Sequence, residues 1–409
     1  MFAVLQARPR AGLCRLAVMV TVAVTVAAAI SVLSGCTGST SSSGDLISSL
    51  STPAQPAAQP AAAIGVGSVK VALILPSSGT GNAQVAAQSM RNAAEMALAE
   101  FKGPDVQLLV KDDAGNAQGA QQAAQQALDE GAEIILGPLF ALTVGPVAQL
   151  ARARNVPVIA FSTDASVAAR GVYLLSFLPE SDVERIIAFA STQGRRSFAA
   201  LVPDNAYGTV AEGAFKASVG RHNGRVVAVE HYPLDRAQMQ GPARNIAQAS
   251  AHADAIFIPD GADAVPTVVQ ALVSNGIDTK KVQLLGTGLW EDPQIFSAPA
   301  LEGAWYAGPD SNKFRDFSAR YRSRYGQDPV RTATLAYDAV ALVAALVKTQ
   351  GAQRFSEETL TNSFGFTGID GLFRFKADGS NQRGLAVLRV SPTGGQIISP
   401  PAKVFASGM

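Results

Sequence analysis

Short apolar runs that read as strands alternate along this chain with longer stretches of helical period. Val69–Leu75 ends at Pro76, and the stretch after it carries Met90, Ala94, Ala97 and Phe101 on one helical face. Val106–Val110 precedes an Ala/Gln-rich helix predicted at 117–129, Glu133–Leu136 precedes one near 141–153, and Val156–Ala160 reads as a fourth strand. Nearly continuous apolar strands separated by helices require a parallel sheet covered on both faces. A second series follows Val172–Leu175. Ser181 and Glu184 read as a capping box in front of the helical face Val183, Ile186, Ile187 and Ala190. Strands at Ser197–Val202, Arg225–Val229, Ala255–Ile258 and Val282–Leu285 then alternate with helices at 207–220, 241–251 and 263–275. The pattern predicts an α/β chain with two doubly wound lobes in tandem. The rhythm breaks near the end: helices near 312–326 and 332–349 adjoin, and Gly371–Gly379 with Leu385–Val390 reads as a β-hairpin. That order fits a chain that returns to the first lobe and crosses again to the second.

Composition excludes several functions. The 409 residues carry 33 Lys+Arg against 32 Asp+Glu, so no basic field exists to attract nucleic acid. Two cysteines, Cys14 and Cys36, cannot build a zinc site, and His222, His231 and His252 form no HExxH, so no metal is expected. Gly-x-Ser-x-Gly and Gly-Lys-Ser/Thr are missing, which removes a hydrolase elbow and a phosphate cradle. Gly79-Thr80-Gly81-Asn82-Ala83-Gln84 follows a strand, but Gln84 stands at the third glycine of a dinucleotide fingerprint. The expectation is a chain that is no enzyme and holds no cofactor. Lys313, Arg315, Arg320, Arg322 and Arg324 make one basic helix, either a solvated face or a docking face for a membrane-embedded or acidic partner.

The first 35 residues read as an address. Arg8, Arg10 and Arg15 precede an uncharged Val/Ala-rich run from Leu16 to Leu33, the layout of an export signal. The run stops at Leu33-Ser34-Gly35-Cys36, which resembles a bacterial lipobox with Cys36 as the lipidated first residue of the mature protein. A single transmembrane anchor is the alternative, since the run is just long enough to span hydrocarbon. Cleavage before Cys36 would change the net charge from +1 to about −2. Residues 36–67, rich in Ser, Thr, Ala, Pro and Gln, read as a disordered tether of lipidated Cys36. The expected location is the periplasm, with the chain attached to a bacterial membrane through that lipid.

Lys70–Leu75 running into Pro76-Ser77-Ser78-Gly79, Lys111-Asp112-Asp113-Ala114-Gly115-Asn116, Ile135-Leu136-Gly137-Pro138-Leu139, Val156–Ala160, Asn205-Ala206-Tyr207-Gly208 and Phe366–Phe375 occur in this order. The set resembles the type I periplasmic-binding fold, in its leucine/isoleucine/valine-binding branch, over about residues 68 to 395. The resemblance implies two lobes joined by three hinge crossovers, near Phe177–Pro179, Gly308–Pro309 and Thr361–Phe366. Lobe 1 would comprise 68–177 with 309–363, and lobe 2 would comprise 178–308 with 364–400. It also implies capture of a small polar, amino-acid-like solute between the lobes for an inner-membrane ABC permease. Gly137-Pro138-Leu139, Val156–Ala160 and Leu175-Ser176-Phe177-Leu178-Pro179-Glu180 further resemble lipoprotein activators of penicillin-binding proteins, in which the same fold would serve as an interaction platform.

Ligands of open parallel sheets sit beyond the carboxyl ends of the strands. The candidate solute-binding residues there are Ser77 and Ser78, Phe140 and Ala141, Ser162, Thr163 and Asp164, Tyr207, Asp260 and Trp290. Tyr207 and Trp290 could stack on a solute or cap the core beneath a loop. Asp164 and Asp260 could orient a cation or hydroxyls, or simply cap a following helix. The amino-acid binders would place serine near Phe140 and Ala141 and an ammonium-binding acid near Gly286-Thr287-Gly288, where this chain has neither, although Glu291 lies close by.

Overall fold

The computed structural model describes residues 63–405 apart from 234, 236–237 and 250–251. Cys36, the predicted signal and residues 36–62 of the predicted tether lie outside the described residues. Residues 63–67, expected to belong to the disordered tether, are instead held against the first lobe, Ala63 and Ile64 pairing with Leu109 and Leu108 and Gly67 N donating to Val106 O at 3.3 Å. Five parallel strands, β2 (Val69–Leu75), β3 (Val106–Asp112), β4 (Ile134–Leu136), β5 (Val158–Ala160) and β6 (Val172–Leu174), form the first sheet with the short antiparallel β1 (Ala63–Ile64) on its edge. Their order is β1-β3-β2-β4-β5-β6. Because side chains alternate across a strand, Val71, Leu73 and Leu75 enter one core and Ala72 and Ile74 the other. Helix α1 (Asn82–Glu100) covers the first face, while α2 (Ala117–Asp129) and α3 (Ala141–Ala153) cover the second.

The second sheet has the order β16-β15-β11-β10-β9-β7-β8. Its parallel strands are β7 (Ser197–Pro203), β8 (Arg225–Tyr232), β9 (Ala255–Phe257), β10 (Gln283–Gly286) and β11 (Trp305–Gly308). Helices α4 (Pro179–Thr192) and α5 (Ala206–Arg221) pack on one face against Phe198, Ala200 and Val202. Helices α6 (Gln240–Ala249), α7 (Val265–Ser274) and the short α8 (Pro293–Phe296) pack on the other, against Ala199 and Leu201. Each buried Val, Leu or Ile contributes about 1.5–3 kcal/mol of transfer free energy, so four apolar faces of this kind hold the fold without disulfides.

After β11 the chain returns to the first lobe. In α9 (Ser311–Tyr325), Phe317 and Tyr321 pack on Ala93 and Met96 of α1, and α10 (Ala333–Thr349) joins the first core through Leu335, Ala339 and Val343. The basic residues of α9 are largely engaged: Arg320 pairs with Glu100, Arg324 with Glu95 and Arg322 with Asp328. The short α11 (Glu357–Leu360) follows.

Two local expectations are corrected. Helix α4 begins at Pro179 behind Leu178, with no side-chain cap, so Ser181 lies inside the first turn and caps nothing. Proline at the first helical position has its φ preset and forfeits only an N–H that lacked a partner anyway, which outweighs the serine signal. The predicted hairpin is also re-paired. β13 (Gly371–Phe375) lies between β12 (Phe366–Gly368) and β14 (Asn381–Arg383) in a separate three-stranded sheet. β15 (Ala386–Ser391) instead joins the second sheet, antiparallel to both β11 and β16 (Gly394–Ser399).

The small sheet packs with the first lobe, since Phe373 and Phe375 are buried in its core and Phe375 lies 5.4 Å from Tyr173 between ring centroids. Asn381 donates to the carbonyls of Leu174 and Ser176, at 2.8 and 2.9 Å. Residues 366–383 therefore pack with lobe 1, against the expected assignment of 364–400 to lobe 2, and the third crossing falls at 384–386.

Candidate functional site

The chain leaves the first sheet at the carboxyl end of β6 and the second at the carboxyl end of β11, so the carboxyl ends of both sheets converge on the crossings. In the first lobe, the loop after β2 is a tight turn in which Ser77 N donates to Leu75 O and Gly79 N to Pro76 O. Ser77 is partly buried and Ser78 exposed. Ser78 N donates to both oxygens of Asp112, at 3.1 and 3.2 Å, and Ala114 N donates to the same carboxylate at 2.9 Å. Phe140 precedes α3 with no side-chain cap, and its ring approaches the Cα side of Gly115. Ala141 opens that helix.

After β5, Phe161 is buried in the core rather than filling the space above it, with its N–H on Pro138 O. Ser162 is buried and Thr163 exposed. Ser162 Oγ accepts from Asp164 N at 3.1 Å, and Asp164 accepts from Ser166 N at 2.9 Å, capping a 3-10 turn at Ala165–Val167. Its bonds to Ser166 hold the Asp164 carboxyl below the usual range. Of the two roles open to Asp164, the geometry displays capping.

In the second lobe, Asn205 caps α5 by accepting from Gly208 N at 2.8 Å, which sets Tyr207 in the first turn. Tyr207 is partly exposed, and its hydroxyl donates to Thr287 Oγ1 at 3.0 Å. Burial, reinforced by the nearby Asp182 charge, raises its pKa above the ordinary phenol value. Asp260 accepts from Tyr232 Oη at 2.6 Å and from Gly261 N at 2.8 Å, so both its oxygens are engaged within its own lobe. Glu291 accepts from the Tyr306 hydroxyl.

Trp290 is corrected outright. It is fully buried among Leu284, Ile295 and Leu301, and a Cβ on Gly286 would stand only 2.1 Å from its ring. The indole lies where a side chain at 286 would stand, which is why it anchors the loop from below and presents no face to a solute.

The site residue that sequence reasoning missed is Asp182. It sits in the first turn of α4, 7% exposed, and accepts from Gly288 N at 2.9 Å, tying the first crossing to the loop after β10. Burial raises its pKa to about 7 against the opposing pull of Gly288 N, Arg383 and Arg331. An acid in a helical first turn reads the same in sequence whether it caps the helix or reaches another loop. Around it, Arg331 pairs with Asp370 at 2.5 Å, Thr334 donates to Asp370 at 2.6 Å, and Arg383 donates to Ser176 O at 2.8 Å. Asp338, which accepts from Ile369 N, is also raised to about 7, first by burial and then by the neighbouring Asp370 charge.

Asp338 makes pH a test of this packing. An acid whose pKa rises on folding binds its proton more tightly in the folded state, so the stability it lends is complete below about pH 4 and is lost as pH climbs through about 7. Asp338→Asn keeps an acceptor for Ile369 N without the charge. Urea unfolding should show the variant near wild type at about pH 4 and more stable by about 3–4 kcal/mol at about pH 8. Parallel profiles across that range would refute the assignment.

Structure thus gathers Tyr207 with Thr287, Ser78 with Asp112, and Ser162 with Asp164, while among the described residues no hydrogen bond joins the lobe 1 candidates to those of lobe 2. Among the described residues, no group of three or more His, Cys, Asp or Glu side chains is placed to hold a metal ion.

Two doubly wound lobes joined by three crossings, with their strand ends turned to the hinge, define the class of two-lobed solute-binding folds. The model of the periplasmic binding protein family matches residues 68–396, and the chain belongs to that family. A Leu/Ile/Val-binding protein homologue of Brucella abortus is 25% identical over 255 residues, 58% of this chain and 64% of the relative, so the chain spans less than two thirds of that relative's length. A solved branched-chain amino acid ABC transporter protein from Rhodospirillum rubrum superposes with a TM-score of 0.72 at 20% identity, covering 81% of this chain and 99% of that one. A solute-binding protein of an ABC transporter from Rhodopseudomonas palustris, solved with 3,4-dihydroxybenzoic acid, gives a TM-score of 0.61 at 21% identity, over 83% and 98% of the two chains.

Proposed function

We propose that the chain is a non-enzymatic periplasmic capture protein that holds a small polar, amino-acid-like solute between its lobes and delivers it to an inner-membrane ABC permease. In this reading it is anchored to the membrane by a lipid on Cys36. The observation that carries the reading is the state of the polar groups at the strand ends. Asp112, Asp164, Asp260, Glu291 and Asp182 each already accept an N–H or O–H from their own surroundings. Thr163 and Ser78 of lobe 1 are left exposed, and Tyr207 of lobe 2 is partly exposed. Hydroxyl groups and helix starts without a spare acid suit a solute with a carboxylate and an apolar body. The names of the relatives agree in that chemistry, one for leucine, isoleucine and valine and one for an aromatic acid. The absence of an acid at Gly286–Gly288 disfavours recognition that depends on the ammonium.

Thermal melting of the full chain against leucine, isoleucine, valine, 3,4-dihydroxybenzoate, peptides and sugars tests this. A melting temperature that climbs with the concentration of one carboxylate supports capture, because a ligand bound only by the folded state stabilises it by mass action. No shift with any compound, together with co-purification of a penicillin-binding protein, would overturn capture in favour of the platform.

A further inference from the structure

The three crossings do not account for residues 400–405. β16 ends at Ser399 on the edge of the second sheet, yet Phe405 is only 8% exposed and packs on the small sheet that belongs with lobe 1. The Arg374 guanidinium of β13 lies 4.6 Å from its ring centroid and is itself fixed by bonds to Gln382 Oε1 and Ser363 O, both at 2.9 Å. A Cβ on Gly365 would stand 2.9 Å from Phe405 Cε2, so the residue before β12 leaves the room that the ring takes up. The neighbouring Val404 is 74% exposed, which marks Phe405 as an inserted anchor and not part of a buried stretch.

Between these ends the segment runs beside the third crossing. A Cβ on Gly384 would stand 2.9 Å from Ala402 O. Arg185 of α4 binds both limbs. Its Nε donates to Leu385 O at 2.8 Å, and its Nη2 donates to Ser399 Oγ at 2.6 Å and to the carbonyls of Pro400 and Ser399 at 3.3 and 3.4 Å. The steps from Ser399 to Phe405 reach at most about 20 Å, and the rings of Pro400 and Pro401 fix φ over part of that length. A short, stiff segment tied at one end to a lobe 2 strand and at the other to lobe 1 has little slack.

We propose that residues 400–405 form a strap across the hinge, anchored in lobe 1 by the Phe405 ring, which limits how far the two lobes move apart. Hinge motion is absorbed by a few residues at the crossings, and a fourth connection, running opposite in direction to the third, narrows the range of angles open to them. Detaching the ring frees one end and widens that range. The strap acts on the empty protein and does not depend on which solute the lobes hold.

Pulsed electron-paramagnetic distance measurement on the full chain without ligand tests this. Cys14→Ser and Cys36→Ser remove the native thiols, and spin labels go on Gln122→Cys of α2 and Gln270→Cys of α7, one exposed site on each lobe. Phe405→Ala should about double the width of the distance distribution, whereas Phe405→Leu, which keeps an apolar anchor, should leave it near wild type. Inserting Gly-Ser-Gly-Ser between Pro401 and Ala402 keeps the anchor but adds up to roughly 13 Å of slack, and should broaden the distribution as Phe405→Ala does. Unchanged width in both variants would overturn the proposal. Broadening in only one of them would overturn it too, since a strap needs both a fixed end and a short length.

Discussion

Gly286→Ala is expected to cost about 3 kcal/mol or more, among the largest effects of any single methyl group in this protein. The added Cβ would stand 2.1, 2.2 and 2.6 Å from three ring carbons of Trp290. That ring cannot yield by swinging aside: it is fully buried against Ile295 and Leu301. Accommodation requires either displacement of β10 or expulsion of the indole. Both would disturb the turn that carries Thr287 and Gly288, which bond Tyr207 and Asp182. Urea unfolding of the variant, read with tryptophan emission, should show lower stability and a red-shifted native spectrum. Trp290→Leu alone should destabilise, but the double variant should lose less than the sum of the singles, since residues in direct contact couple. A cost under about 1 kcal/mol for Gly286→Ala, or strict additivity, would place the indole elsewhere.

Asp370→Ala should also be damaging, by about 2–3 kcal/mol. The acid is buried, but the Arg331 side chain it leaves is 35% exposed, so water takes up part of the roughly 3–5 kcal/mol that a fully buried pair would lose. Asp370 is 1% exposed and binds Arg331 and Thr334 at once. Without it the Arg331 guanidinium keeps its bond to Thr334 Oγ1, at 3.1 Å, and the rings of Phe177 and Phe314, at 4.7 and 4.4 Å from their centroids. Phe177 belongs to the first crossing, so the loss should also loosen the hinge. Relief of the charge pressing on Asp338 offsets part of the cost. Replacing both partners, Arg331→Met with Asp370→Leu, should recover much of the stability, because the penalty comes from the charge left unpaired and not from the pair itself. A double variant no better than Asp370→Ala would contradict this.

The strand-helix alternation of both lobes was legible because parallel strands buried on both faces must be apolar along their length, and Val69–Leu75 and Ser197–Val202 are. Pairing partners late in the chain were not. Leu372 to Phe375 and Ala386 to Val390 carry equally good strand patterns, and only the burial of Phe373 and Phe375 against Tyr173 assigns the first to a separate sheet. Strand-end position found Ser78 and Thr163 in loops and Tyr207 in the first turn of α5, but it could not separate a residue facing outward from one turned under. Trp290 falls in the second group because Gly286, four positions earlier, has no side chain. Asp182 was hidden for a different reason: its partner, Gly288 N, lies 106 residues away.

Calorimetric titration of wild type and Tyr207→Ala with the carboxylate that most raises the melting temperature tests the interlobe seat most directly. The account predicts one-to-one saturable binding to wild type, weakened about tenfold, or about 1.4 kcal/mol, when the ring and hydroxyl of Tyr207 are removed from a still-folded chain. Equal affinity in both proteins, or no saturable heat in wild type, would contradict it.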